Sequence, residues 1–405
     1  MTSHAYLNDH IGRLRRGTLR LQAAAGATIR VQQRGHAFEF GTPLSGAQLR
    51  EEPELDAFTS KWFNAGVVPV KWAGIERERG QRRYEHADAT LDWCEEHDFA
   101  VRGHCLFYAH RIHVQDWVKA IADDGELRRC IERQARETVA RYRGRIPEYD
   151  LNNELLDGSW YRDRLGNDIL RRMADWVLEE DPKARLYVNE HDILTGGDID
   201  RYVELIDHLL TIGVPIRGIG CQGHLDPPFD LSHVERVLDR LAQFGLPIKI
   251  TESDCGIRLK EERYRGVPWI EGSEKDKDLE AFRRIVDGYP DDFEEQKGRA
   301  LDHFYRLAFA HPAVHGLYLW GFQEGRHWRT RGEAFRADLT PLPAGAAYCG
   351  LVGDEWLTTA TVQAGADGFA AVRAFYGPYR ITAGDRAVDT ELRPDTEAAV
   401  IALGP

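Results

Sequence analysis

The chain of 405 residues lacks the features that mark membrane and nucleic-acid-binding proteins. It has no long uncharged apolar run, and its N-terminus has no basic start followed by an apolar stretch. Its formal charge is -13, and no basic stripe is present to neutralise phosphates. We therefore expect neither a membrane nor a nucleic acid as a partner. The expected location is the cytoplasm, or the outside of the cell if a leader has been removed.

The sequence also lacks the residue spacings that are typical of metal-binding and redox sites. The six cysteines are scattered without Cys-x-x-Cys spacing, which predicts reduced structural thiols. Three of the sixteen histidines, His104, His110 and His113, follow one candidate strand. However, no His-x-His or His-Glu-x-x-His pattern accompanies a carboxylate partner. The sequence therefore predicts no metal site and no cofactor.

From residue 38 onward, short apolar runs alternate with longer amphipathic segments, the βαβα pattern of a parallel sheet wrapped by helices. Eight such units fit an α/β fold of the (β/α)₈ TIM-barrel type. The candidate strands are 37–41, 67–72, 100–106, 149–152, 184–189, 216–222, 247–251 and 314–320. Helical periodicity covers 127–142, 168–180, 200–212, 232–244 and 291–310.

The two ends of the chain follow a different, strand-like pattern. Residues 18–33 alternate polar and apolar side chains around Gly26, which predicts a β-hairpin. Short alternating runs punctuated by glycines return at the C-terminal end, and chain termini often lie close together, so both ends are expected to share one small accessory β unit. The predicted divisions are a hairpin extension over 1–35, the barrel over 36–345 and a C-terminal β segment packing on the barrel over 346–405. The C-terminal runs are 358–362, 369–375, 379–383 and 398–403.

Polar residues stand where several of the candidate strands end, the place where barrel enzymes carry their reactive groups. Two carboxylic acids, Glu154 after the fourth strand and Glu252 after the seventh, would face each other across the barrel mouth. One could attack an anomeric carbon while the other shuttles a proton, as in glycoside hydrolysis with retention. A lone glutamate is more often a surface or salt-bridged group. The neighbouring Asn153, His224 and Asp254 favour the chemical interpretation.

The motifs at these strand ends resemble glycoside hydrolase family 10, the endo-β-1,4-xylanase family. The resemblance extends from residue 38 to about 345. It implies that Glu154 is the acid/base and Glu252 the nucleophile. The matching motifs are 71–73 (KWA), 102–104 (RGH), 149–160 (YDLNNELLDGSW), 188–190 (VNE), 218–224 (GIGCQGH), 250–254 (ITESD) and 319–321 (LWG).

Three residues are expected to support catalysis. The resemblance implies that Asn153 donates to the sugar 2-hydroxyl, that His224 orients the nucleophile and that Asp254 fixes His224 from behind. In physical terms, His224 and Asn153 would donate toward the Glu252 region and keep that carboxylate ionised while Glu154 stays protonated.

Seven further residues are expected to bind the substrate. The resemblance implies that three polar side chains grip the hydroxyls of the sugar before the scissile bond and that two tryptophans form its floor and wall. Core packing is the competing interpretation for the tryptophans. The seven residues are Lys71, His104, Tyr108, Asn189, Gln222, Trp320 and Trp328.

The sequence departs from the family at outer positions. A typical Glu-Asn pair is replaced by Val67 and Val68, which removes two distal sugar contacts. Tyr108 stands where tryptophan is common, and His191 stands in place of a tyrosine. The core set is intact, so we expect retaining cleavage of β-1,4-xylosidic bonds in short xylan-derived or decorated xylo-oligosaccharides.

Other functions stay open at this point. A transglycosylase uses the same covalent intermediate, and sequence cannot separate it from a hydrolase. A family-10-like enzyme could act on another β-glycan. A non-catalytic glycan-binding protein is a further alternative, although both glutamates are present. A metal-dependent barrel hydrolase is a fourth, and full activity in a chelator would argue against it. The partner expected in each case is an oligo- or polysaccharide, and the sequence does not predict the oligomeric state.

Overall fold

The computed structural model describes residues 3–225, 229–256, 292–329, 331–394 and 400–403. Within these ranges the strands are β1 (Arg16–Gln22), β2 (Thr28–Gln33), β3 (Glu39–Pro43), β4 (Ala65–Pro69), β5 (Ala100–His104), β6 (Phe107–Tyr108), β7 (Glu148–Asn153), β8 (Arg185–Glu190), β9 (Ile216–Leu225), β10 (Ile248–Cys255), β11 (Val314–Leu319), β12 (Thr359–Gln363), β13 (Phe369–Phe375), β14 (Gly377–Ala383), β15 (Arg386–Leu392) and β16 (Val400–Ala402).

Thirteen α-helices lie within the same part of the chain. They are α1 (His4–Leu14), α2 (Gly46–Glu51), α3 (Pro53–Trp62), α4 (Trp72–Ile75), α5 (Glu85–Glu96), α6 (Asp116–Lys119), α7 (Asp124–Arg141), α8 (Trp160–Leu165), α9 (Asp168–Glu180), α10 (Ile199–Thr211), α11 (Leu231–Ala242), α12 (Phe293–Ala310) and α13 (Pro343–Gly350). A 3₁₀ turn covers Ile193–Thr195 and a π-helical turn covers Leu351–Glu355.

Eight parallel strands close into a barrel. The order around the ring is β3, β4, β5, β7, β8, β9, β10 and β11, which is also their order along the chain. The ring closes where β11 pairs with β3, and Gly103 of β5 pairs with Tyr149 of β7. Each of the eight predicted strands overlaps one strand of the ring, so the prediction of a (β/α)₈ TIM barrel is confirmed.

The helices pack on the barrel through the apolar faces that their spacing predicts. In α11 the residues Val234, Val237, Leu238 and Leu241 recur at three- and four-residue intervals, and all four are buried. The side chain of Asp230 caps this helix by accepting from the backbone N–H of Ser232. The five predicted helical segments correspond to α7 and α9 to α12. Residue 291, at the start of the last segment, lies outside the described residues.

The accessory unit consists of two sheets that draw strands from both ends of the chain. One sheet has the order β13-β1-β16 and the other has the order β12-β2-β14-β15. The side chains of Leu21 and Ile29 belong to one buried cluster formed by strands of the two sheets. This unit touches the barrel through Arg15, whose guanidinium donates to the carbonyl oxygens of Phe309, His311 and Val314 at 2.7 to 2.9 Å.

The prediction of a β-hairpin over residues 18–33 is wrong in its pairing. The turn at Gly26 exists, with φ at +77°, but β1 and β2 do not pair with each other. β1 pairs with β13 and β16, whereas β2 pairs with β12 and β14. Alternation shows which side chains point inward, and two facing strands of a sandwich satisfy it as well as a hairpin does.

Two elements of the accessory region were not predicted, α1 and β15. The other C-terminal runs correspond to β12, β13, β14 and β16, and residues 398–399 of the last run lie outside the described residues. The division of the chain at residues 35 and 345 stays a prediction. None of the helices in the described ranges combines the length and apolar character needed to cross a bilayer.

Candidate active site

The two glutamates stand at the C-terminal mouth of the barrel. Glu154 directly follows β7, and Glu252 lies within the second half of β10. Glu154 adopts a positive φ of 55°, and its backbone N–H donates to the carbonyl oxygen of Asn189 at 2.8 Å. Its side chain is half-buried, whereas Glu252 is only 4% exposed. The two carboxyl groups therefore sit in different environments.

A chain of side-chain amides connects the two carboxyl groups. Thr251 Oγ1 donates to Asn189 Oδ1 at 2.6 Å, and Asn189 Nδ2 donates to both Glu252 Oε1 and Asn153 Oδ1 at 2.9 and 2.8 Å. Asn153 Nδ2 then donates to Glu154 Oε1 at 3.1 Å. An ionised carboxylate only accepts, so this pattern fixes the orientation of both amides.

Asn189 makes contacts that the sequence analysis did not predict, and its substrate binding stays a prediction. It was predicted to bind substrate, and Asn153 was predicted to donate toward the Glu252 region. In the structure the donor to Glu252 is Asn189, because β8 lies between β7 and β9 and carries Asn189 inward. Gly220 on the next strand leaves room for this amide, since an added Cβ would lie 2.5 Å from Asn189 Oδ1.

His224 lies between Asp254 and Glu252. Its Nδ1 is 3.0 Å from Asp254 Oδ2, and its Nε2 is 3.3 Å from Glu252 Oε2. Burial alone would lower the pKa of His224, but the two carboxylates outweigh it and raise the pKa to about 9. At neutral pH the ring is therefore an imidazolium that donates to both acids. His224 and Asn189 together occupy both oxygens of Glu252.

Asp254 is held by more than His224. Trp328 Nε1 donates to its Oδ2 at 2.9 Å, and Arg329 Nη1 donates to its Oδ1 at 2.5 Å. Burial alone would raise the pKa of Asp254, but His224 and Arg329 hold it below its usual value. Trp328, predicted as a wall for the sugar, is 43% exposed and joins this network through its indole N–H. Arg329 was not predicted from the sequence.

Glu154 accepts hydrogen bonds from two further predicted residues. Gln222 Nε2 donates to its Oε1 at 3.0 Å, and the Tyr108 hydroxyl donates to its Oε2. The ammonium group of Lys71 lies 4.4 Å from the centre of the Tyr108 ring, and the His113 ring stacks on Tyr108 at 4.1 Å. Gln222 and Tyr108 therefore contact the carboxyl group itself, and their substrate binding stays a prediction.

His104 is anchored by a buried acid. Its Nδ1 is 2.7 Å from Asp150 Oδ2, and Asp150 also accepts from Arg102. Burial alone would raise the pKa of Asp150, but Arg102 and His104 hold it below its usual value. Trp320 packs edge-on against His104, with ring centroids 5.2 Å apart. His104 and Trp320, which were both predicted to bind substrate, thus contact each other.

A second ionisable pair stands beside Glu154 at the end of β8. Glu190 is buried and accepts from the backbone N–H groups of Leu156 and His191, and burial raises its pKa to about 7. His191 Nε2 lies 2.9 Å from Asp157, and its Nδ1 lies 3.1 Å from Asp192. Burial would lower the pKa of His191, but Asp192 and Glu154 raise it to about 9. The sequence analysis noted His191 only as a difference from the family and assigned no role to Glu190.

Several site residues escaped the sequence analysis because their roles depend on neighbours distant in the chain. Asp150 and Thr251 lie within the matched motifs, but the sequence analysis assigned neither of them a role. Arg329 and His113 lie in loops, and no sequence signal marked their contacts. Among the described residues, no group of three or more His, Cys, Asp or Glu could hold a metal ion. Cys94, Cys105, Cys130, Cys221 and Cys349 are free thiols.

The barrel and its paired carboxyl groups define a site of the glycoside hydrolase type, in which two acids flank the bond to be broken. Comparison with known proteins identifies the family. The model described as "Glycosyl hydrolase family 10" matches residues 30–348, and the chain belongs to this family.

Curated relatives cover most of the chain. It is 31% identical over 364 residues to endo-1,4-beta-xylanase 2 of Arabidopsis thaliana, an alignment that includes 88% of this chain and 31% of that protein. It is 29% identical over 385 residues to the anti-sigma-I factor RsgI6 of Acetivibrio thermocellus, which includes 93% of this chain and 46% of that protein. The chain therefore spans about a third to a half of the length of these relatives.

Solved structures show the same fold. A GH10 endoxylanase from a sugarcane soil metagenome superposes with a TM-score of 0.66 at 23% identity, covering 78% of this chain and 97% of that chain. The native xylanase 10B of Thermotoga maritima superposes with a TM-score of 0.63 at 22% identity, covering 79% and 96%.

Proposed function

We propose that the chain is a retaining glycosidase that cleaves β-1,4-xylosidic bonds in xylan-derived or decorated xylo-oligosaccharides. Glu154 is the general acid/base and Glu252 the nucleophile. The observation that carries the proposal is that the two acids differ in burial and in the hydrogen-bond donors that surround them. Glu252 is buried and receives donors on both oxygens, one of them the His224 imidazolium, whereas Glu154 faces the barrel mouth among neutral donors. Such divergent environments separate an ionised nucleophile from a proton donor.

The reaction proceeds in two displacements. Glu252 attacks the anomeric carbon, the bond to the leaving oxygen breaks, and the proton of Glu154 passes to that oxygen. A water molecule then attacks the same carbon while Glu154 takes its proton, and the bond to Glu252 breaks. Both displacements invert the carbon, so the product keeps its configuration. His224 and Asn189 hold Glu252 in place throughout.

Family membership and the names of the relatives support xylan-derived substrates. The matched Arabidopsis thaliana proteins are named endo-1,4-beta-xylanases, and a similar solved structure is xylanase 10B of Thermotoga petrophila in complex with xylobiose. In this chain Lys71, His104 and Trp320 stand beside the site and are proposed to bind the sugar before the scissile bond. A cytoplasmic location stays a prediction.

The outer positions support short or decorated substrates. Val67 and Val68, which replace a polar pair of the family, are 4% and 0% exposed. Val67 packs with Ala65, Tyr318 and Trp320 in a small buried cluster. Apolar side chains in the core offer no hydrogen bond to a distant sugar ring. We therefore expect kcat/KM to be higher for short or decorated oligosaccharides than for long unsubstituted xylan.

A non-catalytic glycan-binding protein is the second candidate. One relative whose alignment covers most of the chain is named as an anti-sigma factor and not as an enzyme, so this candidate is tested beside the first. Both glutamates and their donors are in place, which argues for turnover. The two candidates are separated by whether bound oligosaccharide is cleaved.

The test is product analysis on xylo-, gluco-, manno- and galacto-oligosaccharides, with the anomeric configuration followed by NMR. Wild type is expected to release β-configured xylo-products, and Glu252→Ala is expected to release none. The matched control is Glu204→Ala, which removes an exposed carboxylate on α10 and should behave as wild type. Products longer than the substrate would indicate transglycosylation. Binding of xylo-oligosaccharides without cleavage by wild type would contradict the enzyme and support the binding protein.

A further inference from the structure

Tyr108 differs in kind from the other partners of Glu154. Its hydroxyl donates to Glu154 Oε2, whereas Glu154 Oε1 accepts from the amide nitrogens of Asn153 and Gln222 at 3.1 and 3.0 Å. An amide nitrogen only donates, but a hydroxyl group both donates and accepts. Of these three partners, Tyr108 is the one that can stay hydrogen-bonded to an oxygen of Glu154 after that oxygen takes up the proton.

The backbone places Tyr108 at this position. Strand β6 has only two residues, and it pairs in parallel with the end of β7 so that Phe107 lies opposite Asn152 and Tyr108 lies opposite Asn153. Phe107 is completely buried and anchors the strand. Tyr108 is therefore held beside the residue that immediately precedes Glu154.

The ring of Tyr108 is also held in place. The ammonium group of Lys71 lies 4.4 Å from the ring centre, a cation–π distance, and the His113 ring stacks on it at 4.1 Å with an interplanar angle of 22°. Burial, followed by Lys71 and His110, lowers the pKa of His113 to about 4, so this neighbour is neutral near pH 7. Burial and the Glu154 charge raise the pKa of Tyr108, so its phenol keeps its proton.

We propose that Tyr108 is a positioning residue for the catalytic proton, because its hydroxyl keeps Oε2 of Glu154 hydrogen-bonded both with and without a proton on that oxygen. The inference rests on the proposed function. When Glu154 has given its proton to the leaving oxygen, the Tyr108 hydroxyl donates to the carboxylate. When Glu154 has taken a proton from water, the hydroxyl rotates and accepts. Tyr108 itself gains and loses no proton, and its donated hydrogen bond stabilises the carboxylate form of Glu154.

Other titratable groups face Tyr108 and Glu154, and a substitution at Tyr108 alone leaves these groups in place. The thiol of Cys105 is buried beside it, and Glu190 and His191 approach Glu154 from the end of β8. Because these groups are the same in both proteins, a difference between wild type and a Tyr108 variant reports the hydroxyl. The full set consists of Cys105, Glu190, His191 and Glu252 around Glu154, and Lys71, His110 and His113 around Tyr108.

The test is Tyr108→Phe, which removes the hydroxyl and keeps the ring that Lys71 and His113 contact. The alkaline limb of the kcat/KM profile reports the acid that must be protonated. We expect it to move to higher pH by about one unit, the change produced by losing one charge-assisted hydrogen bond. Oligosaccharide cleavage should also slow by up to about tenfold, while aryl xylosides with good leaving groups, which need little protonation, should be nearly unaffected.

The matched control is Tyr142→Phe. Its hydroxyl also donates to a carboxylate, Asp88 Oδ1 at 2.9 Å, but this contact lies between α7 and α5, away from the barrel mouth. The control should leave the alkaline limb unmoved. An unshifted or lower alkaline limb in Tyr108→Phe, or an equal loss on both classes of substrate, would overturn the inference. Failure of wild type to cleave any xyloside would instead overturn the proposed function.

Discussion

Replacing His224 by glutamine should remove a defined, pH-dependent part of the stability of the protein. The ring is 6% exposed and lies between Asp254 and Glu252, and its pKa is raised from 6.5 to about 9. At about 1.4 kcal/mol for each pKa unit, this difference corresponds to about 3 kcal/mol of stabilisation of the folded state. The lowered pKa of Asp254 reflects the same interaction and is not added to it.

The sign of the effect follows from the direction of the pKa change. Because the folded-state pKa of His224 lies above the unfolded value, the stabilisation is complete below pH 6.5 and is lost as the pH rises through 9. Glutamine carries no titrating group. The difference in free energy of unfolding between wild type and His224→Gln should therefore be larger below pH 6.5 than above pH 9, by about 3 kcal/mol.

Urea unfolding at a pH on either side of this window, followed by tryptophan fluorescence, measures that difference. His86→Gln is the matched control, because His86 is exposed on α5, and its difference from wild type should not depend on pH in this way. If the difference between wild type and His224→Gln were the same at both ends of the window, the imidazolium would not be stabilised by the two acids. The account of how Glu252 is held would then be wrong.

Three further predictions concern the reaction. Glu154→Ala should reduce cleavage of oligosaccharides by about 10²- to 10⁴-fold but spare aryl xylosides with good leaving groups, and steady-state rates that fell equally on both would contradict the acid role. Asn189→Ala should lower kcat more than it raises KM, because it breaks the amide chain between Glu252 and Asn153; a change confined to KM would show a purely substrate-binding role. Activity should persist after dialysis against EDTA, and a loss restored by a divalent cation would point to a metal-dependent enzyme.

Much of the barrel could be predicted from the sequence because strands buried on both faces read as apolar runs between amphipathic helices. Strand ends were less clear. The predicted sixth and seventh strands stopped at residues 222 and 251, whereas β9 and β10 continue through His224 and Asp254. These polar residues interrupt the apolar pattern but remain in the strands, because each is buried and hydrogen-bonded to the other.

The contacts within the site were predictable only in part. The spacing of Glu252 and Asp254 on one strand places both side chains on the same face, so their shared partner His224 could be anticipated. The contact between Tyr108 and Glu154 could not, because it depends on the register of the two-residue strand β6. The accessory unit shows the same limit, since alternation around Gly26 predicted two strands but not their partners.

The structure also distinguishes the two glutamates by the side chains that surround them. Two glutamates at two strand ends could exchange roles as far as residue type is concerned. Glu252 receives a cationic donor, His224, and an amide, which suits a group that must stay ionised until it attacks. Glu154 receives only neutral donors, and one of them, the Tyr108 hydroxyl, can reverse its direction. Such a partner suits a group that must carry a proton, release it and take it back, so the neighbours of each glutamate support its proposed role.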